Sequence, residues 1–311
     1  MKQYDCIVVG GGHAGIEASL ATARLGFSTL LVSMNLDAIG QMSCNPAIGG
    51  VGKGQLVREI DALGGFMGIA ADKCAIQFRR LNASKGPAVR SSRSQQDMSK
   101  YKLFAKQTLE HQENLSLYQA EAARIIVKSG AVKGVETLLG EEFFCKTLII
   151  TAGTFLNGLM HIGLRSFPGG RLGEAAAVSL SNSLKDLGFS LNRFKTGTCA
   201  RLDKRTIKFS RLKRQDGDKV PQPFSFSTDK LELKQLPCYI TYTNVRTHKI
   251  IRDGLKYSPL YTGKIKSTGV RYCPSIEDKV VKFSDRERHQ IFLEPQGADT
   301  IEIYPNGVST S

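Results

Sequence analysis

No apolar run in these 311 residues is long enough to span a bilayer. The opening MKQYDCIVVG carries neither the apolar h-region nor the A-x-A site of a secretory signal. Seven cysteines (Cys6, Cys44, Cys74, Cys145, Cys199, Cys238, Cys273) are scattered without a C-x-x-C pair. That argues against a disulfide framework and against paired-cysteine zinc sites, and it predicts free thiols in a reducing cytoplasmic compartment. The five histidines lie far apart with no H-E-x-x-H, so no metal centre is expected. No G-x-S-x-G elbow supports a serine hydrolase. GQMSCNPAIGGVGKG ends like a phosphate-binding loop but has Ala47 where the first glycine belongs and Gly54 where Ser or Thr belongs, so it is not one.

What is abundant is positive charge. Lys and Arg number 43 against 28 Asp and Glu, a net charge of +15. Such an excess attracts polyanions. It concentrates between Arg193 and Arg214, where nine basic residues face one acid, Asp203. Without other support, such a run reads as a solvated face. Apolar residues make up 41% of the chain, a globular composition with ample material for a core.

Cys6–Val9 reads as a buried strand. Gly10-Gly11-Gly12-His13-Ala14-Gly15 follows it and opens a helical pattern in which Ile16, Leu20 and Ala23 share a face and Gly26 ends the helix. Residues 28–32 then give a second strand. A G-x-G-x-x-G turn placed between strand and helix is the dinucleotide fingerprint, because glycine lets main chain approach a diphosphate at a helix N-terminus. The acid that usually grips the ribose at the end of the second strand is missing, since Ser33, Met34 and Asn35 stand there. This argues against a routine NAD dehydrogenase.

Further along, helices are expected over 55–63 and 97–113, and a polar, basic loop over 82–93. Short β segments run from 115 to 146 with turns at Ser129-Gly130 and Leu139-Gly140, and a separate buried strand, TLIITAG, spans 147–153. A strand closing on TAG after a β-meander resembles the second fingerprint of FAD domains of the glutathione-reductase type, which favours FAD over NAD in the first site. A helix is expected over 179–187, stopped by Gly188. From about Thr196 the chain reads as β-rich and basic, with no βα alternation. The glycines around Cys44 are expected to let main chain lie against a flat cofactor, with the thiol beside it. The thiol of Cys273, near Arg271, is favoured as a thiolate by that arginine and disfavoured by Glu277 and Asp278, so composition alone favours a structural cysteine there.

Taken together, VGGGHAGIEA, GQMSCNPAIGGVGKG, IQFRRLNASKGPAVR, TAGTFLNG, HIGL, KTGT, PCYITYTN, RYCPSIEDKV, HQIFLEPQG and EIYPNGVSTS resemble the MnmG (GidA) family from about Tyr4 to Ser311. The resemblance implies an FAD-dependent enzyme that adds a (carboxymethyl)aminomethyl group to C5 of wobble uridine 34 of tRNA, using methylenetetrahydrofolate and NADH. It implies a partner GTPase, MnmE, with a homodimer inside an α2β2 assembly, and no membrane association. FAD is expected on Gly10, Gly11, Gly12, His13, Ala14 and Gly15, with contacts at Ala122 and Ala177. NAD(H) is expected on Gly269, Val270, Arg271, Tyr272, Cys273, Pro274, Ser275, Ile276, Glu277, Asp278, Lys279, Val280, Val281, Lys282 and Phe283. Cys44 and Cys273 match the family's catalytic cysteines: a thiolate adding at uracil C6 would make C5 a carbon nucleophile, or a thiolate would take the C5 proton. Cys273 is assigned one of these roles, and Cys44 a place near the flavin. Lys85, Arg90, Arg93 and the 193–214 run are expected to face tRNA phosphates.

The implied fold is α/β: a Rossmann-like FAD-binding domain over 1–196, an inserted β-rich basic domain over 197–284, and a truncated return to the FAD domain over 285–311, without the family's carboxy-terminal helical domain. KTGTCAR departs from the family's KTGTPPR at Cys199 and Ala200, so that loop should be less rigid. A folate- and FAD-dependent tRNA uridine-54 methyltransferase, a non-catalytic RNA-binding remnant and a flavin oxidoreductase of the fumarate-reductase type are the competing readings.

Overall fold

In the computed structural model, which describes residues 3–270 and 274–310, the chain opens with strand β1 (Gln3–Val9), helix α1 (His13–Arg24) and strand β2 (Thr29–Ser33). The two strands run parallel, Cys6 beside Thr29 and Val9 beside Val32. Ile16, Leu20 and Ala23 recur at helical spacing and are buried, which packs α1 onto the sheet. The helix ends in a Schellman turn. Gly26 takes φ +86°, its N–H donates to Ala23 O, and the N–H of Phe27 donates to Thr22 O.

Strand β3 (Ala47–Gly49), helices α2 (Gly54–Ala62) and α3 (Met67–Lys73), strands β4 (Ala75–Leu81) and β5 (Ser91–Gln96) and helix α4 (Met98–Glu110) form an excursion from the main sheet. In it β3, β5 and β4 make a small antiparallel sheet. The loop expected over 82–93 therefore stops at residue 90, and Arg93 sits in a strand. Asp97 starts α4 by accepting from the N–H groups of Ser99 and Lys100.

The chain rejoins the main sheet at β6 (Leu115–Gln119), parallel to β2. Strands β7 (Ala122–Lys128), β8 (Ala131–Thr137) and β9 (Glu142–Ile150) form the expected meander. The strand expected to begin separately at residue 147 is the far half of β9. It lies along β1 from Phe144 to Ile150, so one strand closes the meander and extends the parallel sheet. The resulting order is β6-β2-β1-β9-β8-β7. Both faces are covered: Cys6 and Val8 point into one apolar cluster with Ile16, Leu20 and Tyr101, while Ile7 and Val9 point into another with Leu30, Val32 and Leu180. This is the α/β, Rossmann-like fold read from the sequence.

A hairpin of β10 (Leu159–Ile162) and β11 (Arg165–Pro168) precedes helix α5 (Val178–Asp186), which packs on the meander. Then come β12 (Phe194–Lys195), β13 (Leu202–Asp203), β14 (Lys213–Gln215), β15 (Cys238–Tyr242), helix α6 (Val245–Gly254), β16 (Thr268–Gly269), helix α7 (Ile276–Lys282), β17 (Gln290–Pro295) and β18 (Glu302–Asn306). Five of these strands build an antiparallel sheet ordered β13-β18-β17-β15-β14. Strands on both sides of the expected 284/285 boundary thus belong to one sheet.

Residues 216–237 hold no strand among those described. They are strapped down by side chains instead: Asp72 accepts from the N–H groups of Phe224 and Ser225, and Asp61 from that of Phe226. Helices α6 and α7 were not expected. α6 buries only His248, so it carries no apolar stripe, and α7 is a mere 7 residues long. No helix among the described residues is long and apolar enough to cross a membrane.

Candidate functional site

The carboxyl ends of β1, β2 and β9 open into a cleft lined by Gly10–His13, Ser33–Asn35, Ala120–Ala122, Thr151–Phe155, Arg171 and Ala177, among others. Open α/β sheets bind ligands at this place. The glycine turn shows why. A side chain on Gly10, which has φ +110°, would put Cβ 2.6 Å from Thr151 O. On Gly15 it would lie 1.8 Å from Gly10 O, and on Gly11 2.8 Å from the Ile39 side chain. These three glycines are required by the protein's own packing. Gly12 is different. A Cβ there meets nothing within 4 Å, and the backbone is ordinary extended chain at φ −77°. A side chain at that position would project into open space at the cleft wall.

Gly12 is the N-cap of α1 and supplies no side-chain cap, and the first helical turn carries no acid. The amides that start the helix lack intrahelical acceptors, so the turn suits an anion such as a diphosphate. His13 lines the same wall, with Nδ1 3.4 Å from Tyr101 Oη and the rings edge to face. Burial pushes the His13 imidazole below its usual value, which keeps it neutral.

Ala122 and Ala177 both line the cleft and both are buried. The Ala177 N–H already donates to Phe155 O at 2.8 Å. Gly15 packs against Gly10 behind the turn, and Ala14 is exposed; neither lines the cleft. Three residues escaped the sequence reading. Arg171 grips Glu174 through Nε and Nη2 at 2.6 and 2.8 Å and donates to Ser43 Oγ at 2.9 Å. Glu121 also lines the cleft, and burial raises its carboxyl above the usual range. The R-x-x-E spacing was the only trace of the Arg171 pair.

Cys44 lies one residue beyond the cleft-lining Ser43. Its Sγ is 3.1 Å from Tyr304 Oη, and Tyr304 is 2% exposed. The Arg201 guanidinium covers the Tyr304 ring at 4.8 Å and donates to the carbonyls of Ser43 and Cys44. Burial, then the bond to Cys44, pushes the Tyr304 phenol up. Cys199 shares this pocket; burial raises its thiol pKa, and Tyr304 and Arg201 oppose that shift. Packing and turn geometry account for the loop glycines. Side chains on Gly40, Gly49 and Gly54 would meet Ala105, the Ser92 carbonyl and Ser91 at 2.8 Å or less, and Gly50 and Gly52 supply left-handed turns. None of the five lines the cleft.

Within the 269–283 segment, Arg271, Tyr272 and Cys273 lie outside the described residues. Gly269 pairs with Lys195, and Val270 follows on the surface. After Pro274, Ser275 caps α7 by accepting from the Asp278 N–H. Ile276, Glu277 and Val280 face inward, Val281 and Phe283 are exposed, and Asp278 pairs with Lys282 at 3.0 Å. The Ile276 N–H donates to Ser309 O, and Lys279 Nζ to Gly307 O. Thr310 in turn bridges to Thr198. The start of α7 is therefore tied to the strand end that carries Tyr304.

The basic residues divide. Arg93 is committed to buried Glu294 at 2.6 Å, and Arg201 and Lys195 turn inward. The other seven of the nine between 193 and 214 are exposed, as is Lys85; Arg90 is half-buried, its Nε donating to Lys85 O.

The glucose inhibited division protein A family model matches residues 5–311. A curated relative from Geobacter sulfurreducens, named tRNA uridine 5-carboxymethylaminomethyl modification enzyme MnmG, is 60% identical over 310 residues, which are 100% of this chain and 49% of the relative. One of the same name from Thermodesulfovibrio yellowstonii is 57% identical, again over 100% of this chain and 50% of its own. The form I crystal structure of Aquifex aeolicus GidA superposes with a TM-score of 0.94 at 56% identity, covering 100% of this chain and 53% of that one. The chain spans about half the length of the curated relatives it matches.

Proposed function

This chain belongs to the glucose inhibited division protein A family, and from that premise we propose that it carries the flavin-binding and uridine-modifying half of an FAD-dependent tRNA modification enzyme. The product is uridine 34 bearing a (carboxymethyl)aminomethyl group at C5. The observation that carries the reading is Gly12, a glycine that no protein atom requires, at the mouth of a helix N-terminus suited to a diphosphate. The residues fit FAD: Gly10 to Gly15 would take the diphosphate, and Ala122 and Ala177 would flank the rest. Bound there, FAD would supply two-electron redox chemistry. NADH would use residues 269–283, and methylenetetrahydrofolate would bring the one-carbon unit.

The protein's own groups would handle the uridine. A Cys273 thiolate adds at C6 or takes the C5 proton. Cys44 works at the edge of the cleft, where Tyr304 Oη can donate to its sulfur. An MnmE-type GTPase and an α2β2 assembly complete the proposed enzyme. Loss of this chain from its native cells should remove the modified nucleoside from tRNA hydrolysates analysed by mass spectrometry. An undiminished amount would overturn the reading.

Exposed Lys204, Arg205 and Lys208 are proposed to contact tRNA phosphates. Reversing all three charges should weaken tRNA binding and flatten its dependence on salt, by about one unit of log–log slope for each phosphate no longer neutralised. An unaltered slope in filter binding between low and moderate salt would leave the run as a solvated face.

A further inference from the structure

The second strand of this fold lacks its acid, and the register shows where a replacement stands. β2 and β6 pair in parallel from Thr29 beside Leu115 to Ser33 beside Gln119. The pairing continues past the strand end, because the Ala120 N–H donates to Ser33 O at 3.0 Å. Two further steps bring Glu121 level with Asn35, the position where a ribose-gripping carboxylate is missing. Both residues line the cleft.

The side-chain amide oxygens at this corner are occupied, and Ser33 Oγ is engaged as a donor to Asn35 O at 3.3 Å. Asn35 Oδ1 accepts from the Asp37 N–H at 2.8 Å, and Gln119 Oε1 from the Leu36 N–H at 3.1 Å. Asp37 pairs with Lys106 and is not part of the lining. The Glu121 carboxylate has no hydrogen-bond or ionic partner among the described residues. Burial raises it above the usual carboxylate range, and no charged group among the described residues offsets that shift. Among the described residues, the one arginine in the lining, Arg171, is held bidentately by Glu174. A half-buried carboxylate without a cation is suited to accepting from neutral O–H donors. A vicinal diol supplies two of them in the right geometry.

We propose that Glu121 grips the ribose hydroxyls of the adenosine half of the ligand, supplying from β6's end the acid that β2 lacks, and thereby excludes nucleotides that carry a 2′-phosphate. The inference rests on the nucleotide reading of the cleft and goes beyond it. It assigns a specificity residue that no glycine fingerprint contains. Like charges at close range repel, so a 2′-phosphate beside Glu121 is disfavoured.

The test is calorimetric titration of the 311-residue chain with ADP, 2′-deoxy-ADP and 2′-phospho-ADP, which keeps the 5′-diphosphate and adds a phosphate at the 2′ position. The wild type should prefer ADP to either analogue by about tenfold or more, the usual worth of a hydrogen bond to a charged group. Glu121→Ala and the isosteric Glu121→Gln should erase most of the preference over 2′-deoxy-ADP. Glu121→Lys should invert the order of ADP and 2′-phospho-ADP, a gain that misfolding cannot imitate. Variants that bind ADP with the wild-type preferences would overturn the assignment of Glu121 and leave the cleft reading standing. A wild type that binds none of the three nucleotides at millimolar concentration would overturn both.

Discussion

Gly12→Val should abolish flavin retention while leaving the fold in place. The two halves of that expectation come from separate observations. The Gly12 backbone sits at φ −77° and ψ −176°, a conformation valine adopts without strain, and its Cβ direction is open. The stability cost should be small, of the order of 1 kcal/mol for losing a good N-cap. The isopropyl group would project into the cleft at the first turn of α1, where a diphosphate must approach the free amides. FAD affinity should fall by about a hundredfold or more. The contrast is Gly15→Ala, whose Cβ would lie 1.8 Å from Gly10 O, a clash that displaces helix from strand. The measurement is flavin absorbance per protein after gel filtration with excess FAD, beside a thermal melt. A Gly12→Val chain that stays as yellow as the wild type would remove the diphosphate from this turn.

The difference between those two glycines was not legible in the sequence. G-x-G-x-x-G states that glycine is needed at several places, not whether the reason is strand–helix contact or ligand approach. The features that were legible are local. The βαβ opening follows from apolar spacing at Ile16, Leu20 and Ala23, from the Gly26 stop, and from apolar runs short enough to be strands. The meander follows from its turn residues, and Ser129 and Gly130 do take positive φ. The features that were not legible depend on register or on distant partners. Glu121 acquires its place through the β2–β6 pairing, which no window of sequence displays. Tyr304 reaches Cys44 across 260 residues. In the Cys44 loop, close packing of Gly40, Gly49 and Gly54 against Ala105, Ser91 and Ser92 demands glycine as strictly as a cofactor would, and a sequence pattern does not separate the two causes. Helix α6 was missed because it is amphipathic around a buried histidine rather than an apolar stripe.

Glu294→Ala should be among the most damaging single changes in this chain. The Glu294 side chain is fully buried and accepts from Arg93 at 2.6 Å, Asn306 Nδ2 at 3.2 Å and Asn45 Nδ2 at 3.5 Å. Those partners come from β5, the end of β18 and the Cys44 loop, so one carboxylate joins the antiparallel sheet to the excursion and to the candidate site. Removing it strands the Arg93 guanidinium, only 20% exposed, and orphans two amides. Breaking a buried pair from one side costs about 3–5 kcal/mol, and the lower end applies because Arg93 can partly reach water. Glu294 also stands directly across from Tyr304 in the β17–β18 pairing. Loss of the carboxylate therefore loosens both neighbours of Cys44, its adjacent Asn45 and its hydroxyl partner Tyr304. Urea denaturation should read a loss of about 3 kcal/mol. Alkylation of Cys44 by iodoacetamide, followed by peptide mass, should run several-fold faster under native conditions. A loss below about 1 kcal/mol with unchanged alkylation would mean that Arg93 rehydrates freely and that the Cys44 loop is held by Arg201 alone. Glu294→Gln separates charge from shape: it keeps an acceptor for the amides but not the ion pair, so its cost should fall between the alanine variant and the wild type.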